Sequence, residues 1–287
     1  MRSNSKLFFL IPLFLLACVN TAWCLPQTPV TIHHEFIPHP NDPSKKIEFY
    51  WAQPEGKGPW PVKVFIHGHQ EPDRPGGKAY VDWGVIEETT KHDEVAVAVS
   101  QPGYGASSGP ADYCGPFTQK AVIAVIDLFR KKDFVLPEKI GLEGTSRGAV
   151  VASMVVTQDQ RIAAAVLISG SYDTTDTFNR LTALGKTQII AKEIAKNIQN
   201  ESGGSKQALL DRSAIPNAKK IKTPLLILQG AKDDRTFPDQ AEKFAKLVNE
   251  NGTPAKVVIY PNAGHSIPVS LRSDEVHPFF KRYLKGN

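Results

Sequence analysis

The chain has 287 residues, of which 41% are hydrophobic and 22% are charged, as in an ordinary globular protein. This length allows one large α/β domain or two small ones. The formal net charge is +5, and it falls to about +3 when Arg2 and Lys6 in the N-terminal leader are set aside. Such a mild excess argues against nucleic acid or an anionic membrane surface as a partner.

The first 24 residues have the layout of a secretory signal. Residues 1–6 are polar with two positive charges, residues 7–17 are an unbroken apolar run, and small and polar residues follow. The run is short for a membrane span, so we expect cleavage after Cys24 and export to the periplasm or the medium, with no integral span afterwards. The alternative is a lipobox at residues 15–18, which would leave a lipid anchor on Cys18. Residues 25–287 then form the folded domain.

The three cysteines are compatible with export but do not require it. Cys18 and Cys24 lie in or beside the leader, and Cys114 stands alone. Cleavage after Cys24 leaves a single thiol and no disulfide, whereas cleavage before Cys18 leaves Cys24 and Cys114, which can form a disulfide bond. Cys114 has no basic neighbour in its Pro/Gly-rich loop, so a nucleophilic thiol is not expected there.

Strand and helix patterns alternate along the rest of the chain. Eight segments have strand patterns: 30–36, 46–52, 62–66, 94–100, 139–143, 162–169, 224–229 and 256–260. Helical spacing covers 76–92, 116–132, 149–157, 239–251 and 274–284. The alternation predicts an open, mostly parallel eight-stranded sheet with helices on both faces, and the first two strands have the pattern of an exposed edge. Right-handed crossovers then bring the strand carboxyl ends to one edge, where sites in such folds lie.

One connection departs from this rhythm. About fifty residues separate the strand ending near Ser169 from the strand beginning at Pro224, far more than a usual αβ connection has. Within it, 189–198 have helical spacing and 200–205 read as a flexible break. We interpret 171–222 as an inserted helical cap over the functional edge, because the insertion leaves from the carboxyl end of a strand. A surface excursion away from the site is the alternative.

Residues 144–148, Gly-Thr-Ser-Arg-Gly, follow a short apolar strand and precede a run of small apolar residues. A serine at this spacing between glycines can occupy a strained strand-to-helix turn that exposes its hydroxyl. The glycines are needed because a Cβ at either flanking position would clash. The pattern makes Ser146 a candidate nucleophile, although a glycine-rich turn with a solvated serine has the same letters.

A serine nucleophile needs a base and a group that orients the base. In folds that carry the serine on such a strand-to-helix turn, the chain order is serine, acid, histidine. His265 follows the last strand in a loop, after a glycine. Asp233 and Asp234 follow the preceding strand, and Asp173 follows an earlier one. The position of His265 predicts the base, and the choice of acid stays open at this point.

The oxyanion of such a reaction needs two backbone donors. One is expected from the N–H of Arg147, which directly follows the serine. The other is expected from residues 67–70, His-Gly-His-Gln, which follow the strand 62–66. We assign it to the N–H of His69, because Gly68 permits close approach of the backbone.

Other signals are weaker. A metal site is not expected at His33, His34 and His39, because no spaced carboxylates or cysteines accompany them. We expect these histidines to be ordinary strand or loop residues. Tyr104 follows a strand end and is the best candidate for a pocket-lining aromatic residue. There is no nucleotide-binding glycine motif or phosphate loop, so no cofactor is expected.

Together these motifs resemble the α/β-hydrolases, most of all the catalytic domain of the prolyl oligopeptidase group and its dienelactone-hydrolase-like relatives. The resemblance covers roughly residues 47–284 and is most specific at 233–238, Asp-Asp-Arg-Thr-Phe-Pro. There the first aspartate matches the acid of the family's triad, which selects Asp233. Ser146 and His265 match the nucleophile and the base.

Two departures from the family pattern bear on the substrate. The chain has no room for the large propeller domain that precedes the hydrolase in prolyl oligopeptidases, and residues 67–70 lack the extra glycines of many lipases. Both departures favour a small ester. We therefore expect an exported serine esterase that works through an acyl-enzyme. The alternatives are a prolyl-oligopeptidase-type peptidase acting on short peptides and a hydrolase-fold binding protein without activity. The oligomeric state is left open.

Overall fold

A computed structural model describes residues 30–286 of the chain. The predicted leader, including the cleavage after Cys24 and the alternative lipidation of Cys18, lies outside the described residues. Within them, eight strands form one sheet: β1 (His33–His39), β2 (Asp42–Ala52), β3 (Trp60–Ile66), β4 (Val95–Val99), β5 (Val135–Thr145), β6 (Ala164–Ile168), β7 (Leu225–Gly230) and β8 (Ala255–Tyr260).

The strands lie side by side in the order β1-β2-β4-β3-β5-β6-β7-β8. β1 and β2 pair antiparallel, as do β2 and β4, and every other neighbouring pair is parallel. β4 and β6 are buried along their whole length, because helices cover both faces of the sheet there. β1 alternates between half-buried and exposed positions, as an edge strand does. The predicted eight-stranded, mostly parallel sheet is confirmed.

The helices of the described range flank the sheet and its carboxyl edge: α1 (Lys78–Asp82), α2 (Val85–Thr90), α3 (Pro116–Phe129), α4 (Arg147–Gln158), α5 (Thr174–Leu184), α6 (Ile189–Ser202), α7 (Lys206–Leu210), α8 (Pro238–Glu250) and α9 (Val269–Phe280). Side chains of α3, α4 and α8 share one apolar core with one face of the sheet. The other face packs against α1 and α2 over β4 and against α9 over β6 and β7. No helix in residues 30–286 combines the length and the apolar character needed to cross a bilayer.

Two predicted helices differ from the structure. The predicted helix 76–92 is divided into α1 and α2 by Gly84, whose φ of 70° lies in the left-handed region. The final helix begins at Val269, before the predicted start at 274. Its first turn escaped the sequence pattern because Val269 and Leu271 are exposed there and form no periodic buried face.

Residues 171–222, which we call the cap, contain α5, α6, α7 and a short 3-10 helix at Ile215–Lys220. The cap has an apolar cluster of its own, and Phe237 from the loop after β7 belongs to that cluster. The predicted break at 200–205 is a turn rather than a linker: α6 continues to Ser202 and ends at Gly203 in the left-handed conformation. Ser205 then begins α7 by accepting a hydrogen bond from the N–H of Ala208.

Candidate active site

Ser146 stands at the sharp turn from β5 into α4. Its backbone has φ 54° and ψ −118°, a combination that costs energy for any residue with a Cβ. The surrounding structure holds it there: the N–H of Ser146 donates to the carbonyl of Ile168 at 2.7 Å, and the N–H of Ala149 donates to the carbonyl of Ser146 at 2.9 Å. The strained turn exposes the hydroxyl at the carboxyl edge of the sheet.

The two glycines of the turn permit backbone contacts that a side chain would block. A Cβ on Gly148 would lie 1.9 Å from the carbonyl oxygen of Ile66, at the end of β3. A Cβ on Gly144 would lie 2.3 Å from the carbonyl oxygen of Gly148. The backbone at the start of α4 is therefore in direct contact with two strands.

The structure brings Ser146, His265 and Asp233 together. Nε2 of His265 lies 2.9 Å from Oγ of Ser146. Nδ1 of His265 lies 3.1 and 3.0 Å from the two carboxylate oxygens of Asp233. The loop after β8 that carries His265 is held by Ser169, whose hydroxyl donates to the carbonyl of His265 at 2.8 Å.

The carboxylate of Asp233 is fully buried and surrounded by donors. One oxygen accepts from the backbone N–H groups of Arg235 and Thr236, at 2.9 and 3.0 Å. The other accepts from the Thr236 hydroxyl at 2.7 Å and from Nε2 of Gln229 at 2.8 Å. Burial raises the pKa of Asp233, but the hydrogen bond and charge of His265, with the bonds from Thr236, outweigh it and keep that pKa below its usual range. Asp233 therefore stays ionised beside the imidazole.

The other acidic candidates lie elsewhere. Asp234 is exposed, and its nearest cationic partner is Nε of Arg235 at 3.9 Å. Asp173 caps α5 by accepting from the N–H of Asp176 at 3.1 Å. Among the three aspartates considered from sequence, only Asp233 contacts His265 in the described structure.

Residues 67–70, which we call the oxyanion loop, lie beside the serine. A Cβ on Gly68 would be 3.3 Å from Cβ of Ser146. The buried ring of His67 fixes the loop: Nδ1 donates to the carbonyl of Gly68 at 2.8 Å, and Nε2 accepts from the N–H of Gln101 at 3.1 Å. Burial lowers the pKa of His67 to about 4, so this ring is neutral and holds one tautomer.

A cleft of about 240 Å³ opens at Ser146 and His265. The oxyanion loop contributes His69, and Arg147 lines the cleft beside the serine, so both residues expected to supply backbone donors border it. The cap forms one wall through α6, including Ile190 and Ile194. The cap thus lies over the predicted site. A larger depression of about 500 Å³, under α7 and the 3-10 helix, contains none of the predicted site residues.

The sequence did not reveal the surroundings of the Arg147 side chain. This side chain is 5% exposed. One guanidinium nitrogen pairs with Glu201 of α6 at 2.9 Å, and a second donates to the Tyr104 hydroxyl at 2.5 Å. The Tyr104 hydroxyl also lies 3.0 Å from Nδ1 of His69. Tyr104 is therefore buried behind the cleft instead of lining it, and the only sequence signal for this network was the arginine next to the serine.

The remaining histidine and cysteine candidates make ordinary structural contacts. His33 stacks on Trp51, and His34 bonds to Glu48 at 2.8 Å. His39 lies 2.9 Å from the carbonyl of Phe117. Residues 30–286 hold no cluster of three or more His, Cys, Asp or Glu side chains arranged for a metal. Burial raises the pKa of the Cys114 thiol to about 12, and the thiol donates to the carbonyl of Arg147 at 3.2 Å.

A sequence profile of the prolyl oligopeptidase family (peptidase family S9) matches residues 115–287, more than half of the chain. The chain belongs to the prolyl oligopeptidase family. Solved structures with a similar fold include an esterase and a peptidase.

The similar proteins differ in how much of their own length this chain covers. An uncharacterized peptidase of Bacillus subtilis is 27% identical over 223 residues, covering 75% of this chain and 32% of the relative, so the chain spans about a third of that protein. An esterase of Pyrococcus furiosus matches the fold with a TM-score of 0.69 at 18% identity, over 89% of this chain and 92% of that one. A puromycin-hydrolyzing peptidase of Mycobacterium tuberculosis matches with a TM-score of 0.74 at 20% identity, over 90% and 40% respectively. These structural matches confirm the α/β-hydrolase fold.

We predict that Gly148→Ala lowers the free energy of unfolding by about 1–3 kcal/mol, because the new methyl group would force α4 away from the end of β3. Urea unfolding followed by circular dichroism measures the change. Gly264→Ala is the matched control, since a Cβ there would meet its nearest atom, the carbonyl oxygen of Lys232, at 3.6 Å. Equal stability of the two variants would contradict the contact.

We predict that Glu201→Ala lowers the free energy of unfolding by about 3 kcal/mol, because it leaves the buried guanidinium of Arg147 without its anion. Asp82→Ala is the control: it breaks the exposed Lys78–Asp82 pair and should cost less than about 1 kcal/mol. Chemical denaturation of the two variants and the wild type measures both values. A Glu201→Ala protein as stable as the wild type would show that the pair does not hold the cap.

Proposed function

We propose that this protein is an exported serine hydrolase that cleaves a carboxylic ester through an acyl-enzyme. The observation that carries the proposal is the unbroken series of contacts from Oγ of Ser146 to His265 and on to the buried carboxylate of Asp233. A nucleophile, a base and an orienting acid in this order are what acyl transfer to a serine requires. The intact series also argues against the alternative of a binding protein without activity.

The proposed reaction begins when Nε2 of His265 accepts the hydroxyl proton of Ser146. Oγ attacks the carbonyl carbon of the ester, and the carbonyl oxygen becomes an oxyanion. The imidazolium then gives its proton to the departing alkoxide, which leaves as an alcohol. A water molecule, deprotonated by His265, attacks the acyl-enzyme. The bond between the acyl carbon and Oγ then breaks, His265 returns the proton to Oγ of Ser146, and the carboxylic acid leaves. The ionised Asp233 stabilises the imidazolium in both halves.

The backbone N–H groups of Arg147 and His69 are the proposed donors to the oxyanion. The N–H of Arg147 belongs to the first turn of α4, where backbone donors lack helical partners. The oxyanion loop lies against Ser146 at Gly68 and is held by the neutral ring of His67. Donors fixed before the reaction stabilise the developing charge without reorganisation.

A short acyl group suits the cleft. Its volume of about 240 Å³ is below the range of about 300–1,000 Å³ usual for drug-sized ligands. Val150 on α4 and Ile190 and Ile194 on the cap give it apolar surface beside the serine. We therefore propose a small ester of a short apolar acid as the substrate class. No cofactor enters this mechanism.

The alternative is a serine peptidase acting on short peptides. The family name and the peptidase names of curated relatives favour it, among them a dipeptidyl aminopeptidase of Pseudoxanthomonas mexicana that is 32% identical over 75 residues. The same three residues can cleave an amide, with an amine as the leaving group. Export is a proposal from the leader pattern of residues 1–24, with a lipid anchor at Cys18 as its alternative.

We predict that a fluorophosphonate probe labels the wild type and fails to label Ser146→Ala, because only a serine activated by His265 attacks the phosphorus. Labelling is measured by gel fluorescence, and peptide mass spectrometry locates the adduct. Ser44→Ala, which removes an exposed hydroxyl bonded to Asp42, is the control and should label like the wild type. Folded wild-type protein that stays unlabelled would refute the enzyme proposal.

We predict that kcat/KM is higher for a p-nitrophenyl ester than for the p-nitroanilide of the same acid. Among the esters, kcat/KM for the butyryl ester should exceed that for the dodecanoyl ester by about tenfold or more, because the cleft is small. Absorbance assays with purified protein give these values, and Ser146→Ala supplies the background. Faster turnover of a prolyl-peptide anilide than of any ester would favour the peptidase instead.

A further inference from the structure

The side chain of His69 lies in the cleft beside Ser146 and His265, although the mechanism above uses only its backbone. Its ring has one bond to another described residue, between Nδ1 and the Tyr104 hydroxyl at 3.0 Å. Nδ1 is therefore occupied by a hydrogen bond inside the protein, to a tyrosine that is 1% exposed. Whether Nε2 carries a proton decides whether the ring can donate a hydrogen bond to a substrate.

The Arg147–Tyr104 contact determines where the His69 proton lies. Arginine only donates, so the Tyr104 oxygen accepts from Nη1 of Arg147. The single hydroxyl proton of Tyr104 then points at Nδ1 of His69, which must accept it. A neutral His69 ring consequently carries its own proton on Nε2.

The charge of the ring is governed by the same neighbours. Partial burial, followed by the positive charge of Arg147, lowers the pKa of His69 below its ordinary value. Arg74 acts in the same direction, whereas Glu71 and Glu201 act against it. The ring is neutral at neutral pH, and its Nε2–H is a fixed donor rather than a base.

We propose that the Nε2–H group of His69 is a third donor to the substrate oxyanion, oriented by Tyr104 and Arg147. The inference rests on the proposed hydrolase function and extends it to a side chain. His69 would contact the reacting carbonyl oxygen, which makes it a catalytic residue. Tyr104 and Arg147 act through it and are positioning residues. The ion pair of Arg147 with Glu201 ties this arrangement to the cap.

The test compares three variants by steady-state kinetics on a p-nitrophenyl ester. His69→Phe keeps a planar ring and removes the donor, and we expect kcat to fall about 10- to 100-fold while KM changes less than about threefold. His69→Gln retains an N–H donor and should keep kcat within about fivefold of the wild type. Tyr104→Phe frees the imidazole to move its proton to Nδ1, so kcat should fall about threefold to tenfold.

His92→Phe is the matched control, because His92 is exposed and lies outside the cleft. A second readout separates catalysis from structure: affinity for a trifluoromethyl ketone, which forms an oxyanion on Ser146, should fall across the variants in proportion to kcat/KM. Circular dichroism confirms that each variant is folded. If His69→Phe does not fold, His69→Gln and Tyr104→Phe provide the same comparison.

Two results would overturn the inference while leaving the proposed function intact: wild-type kcat in folded His69→Phe, or a raised KM with unchanged kcat. Fluorophosphonate labelling of Ser146 in the same samples identifies the other kind of failure. If the wild type neither hydrolyses esters nor labels at Ser146, the proposed function fails and the role of His69 fails with it.

Discussion

The contact between the start of α4 and the end of β3 is the constraint on which the site depends. Gly148 brings the helix backbone against the carbonyl of Ile66, so α4 can begin immediately after β5 without an intervening loop. This tight connection keeps the backbone of Ser146 out of the common regions and holds it at a positive φ. The strain is local, whereas the packing that sustains it extends over a sheet and three covering helices.

Two buried charged side chains, Asp233 and Arg147, lie near Ser146, and their charges are compensated in different ways. Asp233 receives hydrogen bonds from β7 and the loop after it, and contacts His265 in the loop after β8. Arg147 instead takes its counter-ion from Glu201, more than fifty residues further along the chain. The carboxylate of Asp233 is therefore held by residues of the sheet edge alone, whereas the charge on the other side of Ser146 is balanced by the cap. This difference makes the cap part of the site's electrostatics and not only a cover.

The sheet and the candidate triad were accessible from sequence because their signals are local. β4, β6 and β7 are short apolar runs, and Ser146 and His265 each follow a strand beside glycines. Asp233 needed the family resemblance, since its neighbour Asp234 has the same chemistry, and only burial separates them. Features that depend on distant partners were missed. No sequence pattern near Tyr104 indicates that its hydroxyl contacts Arg147, and no pattern in α6 indicates that Glu201 pairs with Arg147. Such pairings are fixed by the way the cap is placed, which no pattern within the cap encodes.

The Arg147–Glu201 pair also has a consequence for protein engineering. The cap supplies α6 as a wall of the cleft, so exchanging α6 for a helix of another sequence would change the shape and lining of the cleft. The acid at position 201 would have to survive that exchange, because it also accepts a hydrogen bond from the N–H of Tyr113 at 3.0 Å. A replacement helix designed only for its pocket-facing residues would lack Glu201 and leave Arg147, next to Ser146, without its counter-ion. The lining of the cleft and the charge balance beside Ser146 thus both depend on α6.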